Sequence, residues 1–168
     1  MTSPSPIGTV VLIRHGIAED RGGDKPDALR ELTPKGAKRA LAVLRLALPL
    51  LPAPDRILSS PYRRANQTAH LIAHLAHDLD MKLPDIELDD RLTPDEEQIL
   101  CNEIGAAFEA GDGSSETVWL VGHNPSLEAL ARRLCGGEVI LKKAGVAVIE
   151  QGGLVLLLKP KLAEGFED

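Results

Sequence analysis

Residues 9–16 read Thr9-Val10-Val11-Leu12-Ile13-Arg14-His15-Gly16, an apolar run that ends in a cation, an imidazole and a glycine. The β-branched run predicts a strand that is buried on both faces. Ligands of open α/β sheets bind just beyond the carboxyl ends of such strands. Arg14 offers a planar fork for phosphate, His15 can attack phosphorus or shuttle protons, and Gly16 lets the backbone lie close to a ligand. This triplet indicates chemistry only if other strand ends supply matching groups.

The length and composition predict one globular domain over residues 1–168, with residues 1–8 and 160–168 as loose ends. The net charge of −6 argues against a nucleic-acid surface. No apolar stretch is long enough to span a membrane, and the N-terminus lacks the pattern of a secretory signal. Cys101 and Cys135 form no metal-binding or redox motif, which favours reduced thiols in a cytoplasmic protein over a disulfide.

A second strand, Arg56–Ser59, also leads into functional residue types. The segment after it begins Ser60-Pro61-Tyr62-Arg63-Arg64 and starts a helix. The N-terminus of a helix carries partial positive charge and attracts anions. Two positively charged arginines in the first turn therefore interact unfavourably with the helix dipole. Such a local conflict is typical of a functional site, although a solvent arginine and a surface ion pair remain the alternative.

A third strand, 117–121, ends in Gly122-His123-Asn124-Pro125 and leads into a helix. A lone histidine is more often structural than catalytic. Here, however, the arrangement of strand, histidine and loop repeats that of His15. The repetition favours a functional role for His123.

The remaining segments complete an alternation of strands and helices. Thr33-Pro34 predicts a capped helix start, and Thr93-Pro94 predicts a second that leads to about Ala110. Residues 111–115 read as a turn, and residues 146–158 as a β-hairpin across Gln151-Gly152-Gly153. Residues 19–30 lack apolar periodicity and predict a surface loop beside His15, either a solvated connector or a flexible rim over the site.

This order predicts an α/β fold with a mostly parallel central sheet, helices on both faces and an antiparallel edge strand. Three strand ends then bring Arg14 and His15, Arg64 with Arg63, and His123 to one edge. No Cys/His ligand set, paired carboxylate or phosphate-binding glycine loop is present, so neither a metal nor a cofactor is expected. A cationic pocket with an imidazole nucleophile suits phosphoryl transfer.

The same residues resemble the histidine phosphatase superfamily, which has the phosphoglycerate-mutase-like fold, a three-layer α/β/α sandwich. The matching pieces are Arg14-His15-Gly16, Leu32-Thr33-Pro34-Lys35-Gly36, Ser60-Pro61-x-x-Arg64-Ala65-x-Gln67-Thr68-Ala69 and Val121-Gly122-His123-Asn124-Pro125. The resemblance covers about residues 9–158. Each motif is weak alone, but their order and separations are specific, and the length is similar to that of the small SixA-type phosphohistidine phosphatases.

The resemblance implies a role for each matching residue. His15 would be the nucleophile and would carry a phosphohistidine intermediate. The implied phosphate-binding residues are Arg14, Gly16, Arg64 and His123, with Ser60 positioning the loop. Arg64 is preferred over Arg63 because it directly precedes Ala65 in the matching pattern, which leaves Arg63 as a rim cation or an ordinary surface residue.

The general acid is the open point. Larger relatives place an acidic residue on an inserted cap, whereas this chain has only a short interval there. Asp90 is the nearest candidate, with Glu87 and Asp89 behind it, unless all three are solvated loop acids. The implied function is a metal-independent phosphatase, most simply for a protein phosphohistidine. The alternatives are a small-molecule phosphomonoesterase of loose specificity and a non-catalytic phosphate-binding module.

Overall fold

The computed structural model describes residues 7–109 and 116–163. Within these ranges the strands are β1 (Ile7–Arg14), β2 (Arg56–Ser59), β3 (Ile86–Leu88), β4 (Glu116–Gly122), β5 (Val146–Glu150) and β6 (Gly153–Leu158). The helices are α1 (Pro34–Ala47), α2 (Arg63–Asp78), α3 (Glu97–Glu109), α4 (Ser126–Cys135) and the short α5 (Pro160–Ala163). Short 3₁₀ turns cover Asp27–Leu29, Leu48–Leu50 and Asp90–Leu92.

The strands form one sheet in the order β3-β2-β4-β1-β5-β6. β1, β4, β2 and β3 run parallel, whereas β5 is antiparallel to β1 and β6 is antiparallel to β5. In this register Arg14 pairs with Gly122, and Ser59 pairs with Val121. The carboxyl ends of β1, β2 and β4 therefore lie side by side at one edge, and the predicted α/β fold is confirmed.

The sheet separates two apolar cores. Val11, Ile13 and Trp119 pack on one face against α1 and α2. Val10 and Leu12 pack on the other face against α3 and α4. This confirms that the apolar run at the start of the chain is buried on both faces. Within the described residues, no helix combines the length and apolar character needed to cross a membrane.

The predicted start of α1 is confirmed. The first turn of this helix packs closely against Ile17, which follows the Arg14-His15-Gly16 triplet. The hydroxyl of Thr33 accepts a hydrogen bond from the Gly36 amide at 2.9 Å, and Pro34 is the first helical residue. A Cβ atom at Gly36 would lie only 1.9 Å from the carbonyl oxygen of Ile17. Glycine is therefore required at this crossing.

The helix predicted to begin at Thr93-Pro94 begins three residues later, because α3 starts at Glu97. The hydroxyl of Thr93 donates to the carbonyl oxygen of Asp90 at 2.8 Å. Thr93 thus closes the preceding 3₁₀ turn rather than capping a helix, which is the competing use of a threonine hydroxyl.

The predicted loose ends are partly ordered. Ile7 and Gly8 belong to β1, and the Ile7 side chain is buried. Residues 160–163 form α5, whose Pro160 and Ala163 are buried where the helix packs on α1. The predicted turn at 111–115 lies outside the described residues, as do residues 1–6 and 164–168.

Candidate active site

A cavity of about 310 Å³ opens where β1, β2 and β4 end. The predicted residues that line it are Arg14, His15, Arg64 and His123. They come from segments far apart in the sequence, and the parallel register brings them together. The fold thus assembles the cationic pocket with two imidazoles that the strand ends predicted.

His15 is held with one ring nitrogen unprotonated. Its Nδ1 lies 2.6 Å from the carbonyl oxygen of Gly16. Because a carbonyl can only accept, Nδ1 carries the proton and Nε2 keeps its lone pair. The Arg64 Nε–H donates to that lone pair at 3.4 Å. The Gly16 amide donates to the Thr68 hydroxyl at 3.2 Å, which fixes the backbone beside the ring.

Arg64 is only 1% exposed and is held by an aspartate that the sequence motifs did not reveal. Its Nη1 donates to the Asp27 carbonyl at 2.7 Å, and its Nη2 donates to the Asp27 carboxylate at 3.0 Å. The guanidinium carbon also lies 5.2 Å from the ring centre of Tyr62. Asp27 belongs to the 19–30 segment, so this predicted surface loop supplies a residue that positions the site.

Asp27 is ionised despite its partial burial. Burial opposes the charge, but hydrogen bonds from Arg30 and the positive charge of Arg64 outweigh it and hold the pKa of the Asp27 carboxyl below its usual value. The carboxylate can therefore keep the Arg64 guanidinium in place at neutral pH. Nothing in the local sequence of a charged loop indicates which acid will fill this role.

His123 is held by the side chain of Ser60. The His123 Nε2 lies 2.9 Å from the Ser60 hydroxyl oxygen. That oxygen accepts from the Tyr62 amide at 3.3 Å, so the hydroxyl proton is available for Nε2. The Nδ1 of His123 is buried, and no hydrogen-bond partner for it occurs among the described residues. This nitrogen is the one left for a ligand.

The two imidazoles lie close together, and Arg14 completes the pocket. The ring centres of His15 and His123 are 5.0 Å apart. The Arg14 Nη1 donates to the carbonyl oxygen of Leu141 at 2.9 Å, which also accepts from the side chain of Asn124 at 3.0 Å. Cationic and imidazole groups thus face one volume from several sides, an arrangement suited to the oxygens of a phosphoryl group.

Both histidines are neutral at physiological pH. Burial is the main cause that lowers the pKa of His15 to about 3, and the charges of Arg64, Arg14 and Lys143 add to it. Burial and then the proximity of His15 likewise lower the pKa of His123 well below its usual value. The lone pair on His15 Nε2 is therefore available without prior deprotonation.

These shifts predict that the fold loses stability in mild acid. A histidine with a lowered folded-state pKa binds its proton mainly in the unfolded state, so stability falls as the pH drops below the unfolded value of about 6.5. From about pH 7.5 to 5.5 the expected loss is between about 1 and 2 kcal/mol for each histidine, or about 3 kcal/mol for His15 and His123 together. Urea unfolding of the wild type and of a His15→Asn/His123→Asn variant at both pH values measures this loss. An equal loss in both proteins would contradict the assignment.

Asp90 is not brought to the cavity. It is exposed on the 3₁₀ turn that Thr93 closes, where Leu92 rather than Asp90 is buried. Of its neighbours, Asp89 binds Arg91 and Glu87 binds Arg56. The acids that line the cavity are instead Glu19 and Asp20. Glu19 accepts hydrogen bonds from Lys25 and from the amide of Glu31, which leaves Asp20 as the less constrained carboxyl group.

Arg63 lies outside the cavity lining. Its side chain is half exposed, and its Nη1 lies 3.1 Å from Glu31. The adjacent arginines therefore differ sharply in environment, because the first turn of α2 directs Arg64 inward and Arg63 outward. Among residues 7–109 and 116–163, no three His, Cys, Asp or Glu side chains are grouped so that they could hold a metal ion.

Comparison with known proteins identifies the family of this chain. The family model of the histidine phosphatase superfamily (branch 1) matches residues 10–134. An uncharacterized protein of Picosynechococcus sp. is 33% identical, over 88% of this chain and 94% of its own length.

Two solved structures extend the comparison to three dimensions. The putative phosphohistidine phosphatase SixA of Agrobacterium tumefaciens is 27% identical, with a TM-score of 0.74 over 91% of this chain and 99% of that one. A protein histidine phosphatase SixA complexed with tungstate is 24% identical, with a TM-score of 0.71 over 92% of this chain and 98% of that one, and it supports the fold.

Proposed function

The chain belongs to the histidine phosphatase superfamily (branch 1), and from that premise we propose that it is a metal-independent phosphatase for protein phosphohistidine. The observation that carries the proposal is the state of His15. Its Nδ1 proton is held by the Gly16 carbonyl at 2.6 Å, and its Nε2 lone pair faces a cavity lined by Arg14, Arg64 and His123. An uncharged nucleophile surrounded by cations is suited to attack on a phosphoryl group.

In the first step, His15 Nε2 attacks phosphorus in line with the leaving group. The new P–N bond forms while the bond from phosphorus to the leaving atom breaks, and the leaving group takes that electron pair. Arg14 and Arg64 offset the negative charge on the equatorial oxygens, and the Nδ1 of His123 donates to one of them. The negative charge of bound phosphate raises the pKa of His123, which favours this donation.

In the second step, water attacks the phosphorus of the phosphorylated His15. The P–N bond breaks, its electron pair returns to Nε2, and the water proton leaves with inorganic phosphate. The Gly16 carbonyl holds the same Nδ1 proton throughout, so the free imidazole is regenerated in its starting tautomer. The guanidinium groups supply the charge that other phosphatases take from a metal ion.

A phosphohistidine substrate suits a site in which the predicted general acid does not line the cavity. Its leaving group is an imidazole whose second ring nitrogen carries a proton, so it departs as a neutral molecule without a strong general acid. The acid predicted from sequence, Asp90, lies outside the cavity lining. The 27% identity to a protein described as a putative phosphohistidine phosphatase supports the same choice.

One observation favours a second candidate, a small-molecule phosphomonoesterase. Asp20 lines the cavity, and a carboxyl group is the donor that the alkoxide of a phosphate ester needs. Under this alternative Asp20, rather than Asp90, would protonate the leaving oxygen.

Competitive turnover separates the two candidates. A peptide bearing phosphohistidine is mixed with phosphoserine and phosphotyrosine peptides, a sugar phosphate and an aryl phosphate, all in excess chelator. We expect the phosphohistidine peptide to be used with a kcat/KM at least about 100-fold above that of the phosphoserine peptide and the sugar phosphate, because its neutral imidazole leaving group needs no acid whereas their alkoxides do. Activity that needs added metal would contradict metal independence.

An ester preference would favour the second candidate. In that case Asp20→Asn should slow esters with poor leaving groups more than esters with good ones, whereas Asp90→Asn, the matched control, should leave both unchanged. Under the first candidate, neither substitution changes the turnover of phosphohistidine beyond about twofold.

A further inference from the structure

A second cavity, of about 580 Å³, lies beside the candidate active site. The basic residues that line it are Arg14, Arg39, Lys142, Lys143, Lys159 and Lys161. The rest of its lining is Ile17 and Pro160, so among the described residues no carboxylate contributes to its wall. We call this cavity the lysine pocket.

The lysine pocket adjoins the active-site cavity. Arg14 and Lys143 line both cavities. An anionic molecule that places a phosphoryl group at His15 therefore finds further cationic groups next to it, on the side of Arg14. The two volumes together, about 310 and 580 Å³, exceed what one phosphoryl group fills.

One wall of the pocket is tied to the strand that carries the nucleophile. The Ala144 amide donates to the carbonyl oxygens of Arg14 and His15 at 3.1 and 3.0 Å. The Arg14 amide donates in turn to the carbonyl oxygen of Gly145 at 3.1 Å, and the Gly145 amide donates to that of Lys142 at 2.7 Å. The loop that carries two of the lysines thus has a fixed position relative to the active site.

The opposite wall is anchored by the C-terminal helix. Lys159 and Lys161 flank Pro160, which is buried. The helix α5 packs on α1 and buries Ala163. The backbone that carries these two lysines is therefore held by apolar packing, while their side chains remain exposed.

This concentration of positive charge stands out in an acidic chain. The protein has a net charge of −6, yet six basic side chains line one cavity. The four lysines of the pocket carry like charges, which repel each other in one concavity and lower the stability of the fold. A cluster that costs stability in this way is expected where binding requires it.

We propose that the lysine pocket binds carboxylate side chains of the phosphorylated protein, on the segment that flanks its phosphohistidine. The proposal rests on the phosphohistidine phosphatase function proposed above. It specifies the class of substrate: a phosphohistidine next to an acidic stretch of chain.

The chemistry of the pocket favours carboxylates of a protein over a second phosphate of a small molecule. Four of the six cations are lysines with exposed side chains, which act as mobile point charges rather than rigid bidentate forks. Such charges spread around an open cavity suit several separate acidic side chains and steer an acidic surface toward the site.

Two phosphohistidine peptides that differ only in their flanks test the proposal, one with Asp and Glu and the other with Ser and Gln. The double variant Lys159→Gln/Lys161→Gln removes two charges from the pocket and none from the active-site cavity. The matched control Lys38→Gln/Lys82→Gln removes two exposed charges that line neither cavity. Hydrolysis of an aryl phosphate reports the basal activity of each protein.

For the wild type we expect a KM roughly 10-fold lower for the acidic peptide than for the neutral one, and the advantage should shrink as salt is added. The Lys159→Gln/Lys161→Gln variant should lose most of this advantage while its kcat and its turnover of aryl phosphate stay unchanged. The control variant should keep the advantage. Equal KM values for the two peptides in the wild type would overturn the proposal.

Binding of the same acidic peptide without phosphate provides a readout that needs no turnover. Fluorescence anisotropy should detect its binding to the wild type and to the control variant, with affinity lost in Lys159→Gln/Lys161→Gln. Binding of inorganic triphosphate without binding of the acidic peptide would overturn the proposal in favour of multiply phosphorylated small molecules. Hydrolysis of neither phosphohistidine peptide, with pocket-dependent peptide binding retained, would reject the phosphatase function while supporting the docking surface.

Discussion

Replacing His15 with asparagine is expected to abolish turnover, with a loss on the order of 10⁴-fold or more in kcat. Asparagine is polar and similar in size, but it has no nucleophilic ring nitrogen and cannot form the P–N bond. A wild-type sample quenched after mixing with a labelled phosphodonor should carry label that is lost in acid and kept in base. The His15→Asn protein should carry none.

A matched histidine serves as the control for this experiment. His70 lies on α2 and is exposed, so His70→Asn should retain both turnover and label. Thermal unfolding of both variants checks that each is folded. Retained turnover in a folded His15→Asn protein, or label on any other residue, would exclude the proposed mechanism.

Replacing Arg64 with alanine should lower kcat/KM by roughly 10²- to 10³-fold, the usual loss for one positioned donor to a developing oxyanion. The side chain is 1% exposed, and its Nε lies 3.4 Å from the Nε2 of His15. Arg64→Lys should recover only part of the loss, because an ammonium group keeps the charge but not the planar fork. Steady-state kinetics with an aryl phosphate measure both variants.

The neighbouring arginine offers the matched comparison. Arg63 is half exposed and pairs with Glu31 on the surface, an interaction worth at most about 1 kcal/mol. Arg63→Ala should therefore change kcat/KM by no more than about twofold. Equal losses at the two positions would reverse the assignment, and unfolding measurements separate a catalytic effect from the loss of the ion pair between Arg64 and Asp27.

The sequence predicted those residues of the site that directly follow a recognisable strand pattern. An apolar β-branched run followed by Arg14 and His15 indicates a strand with chemistry at its end. Arg64 and His123 follow two other strands in the same way. Because parallel strands end at the same edge of a sheet, their convergence could be expected once the alternation of strands and helices was recognised.

Residues that act through long-range contacts could not be predicted in this way. Asp27 lies in a loop without periodicity, and only the folded chain shows that its carboxylate reaches Arg64 at 3.0 Å. Asp90 was predicted from its place in the sequence, but the turn closed by Thr93 leaves it exposed. In both cases the deciding quantity is the direction of a side chain on an irregular segment, which spacing does not encode.

The amino-acid sequence by itself determined the strand ends, the residue types at each and the family to which they belong, because these follow from hydrophobic periodicity and short motifs. The tertiary structure decided which nitrogen of His15 keeps its lone pair, which acid holds Arg64, and that lysines near residues 142 and 160 share one pocket. These depend on distances between segments that can lie more than a hundred residues apart, as do Arg14 and Leu141, and only the packing of the chain sets such distances.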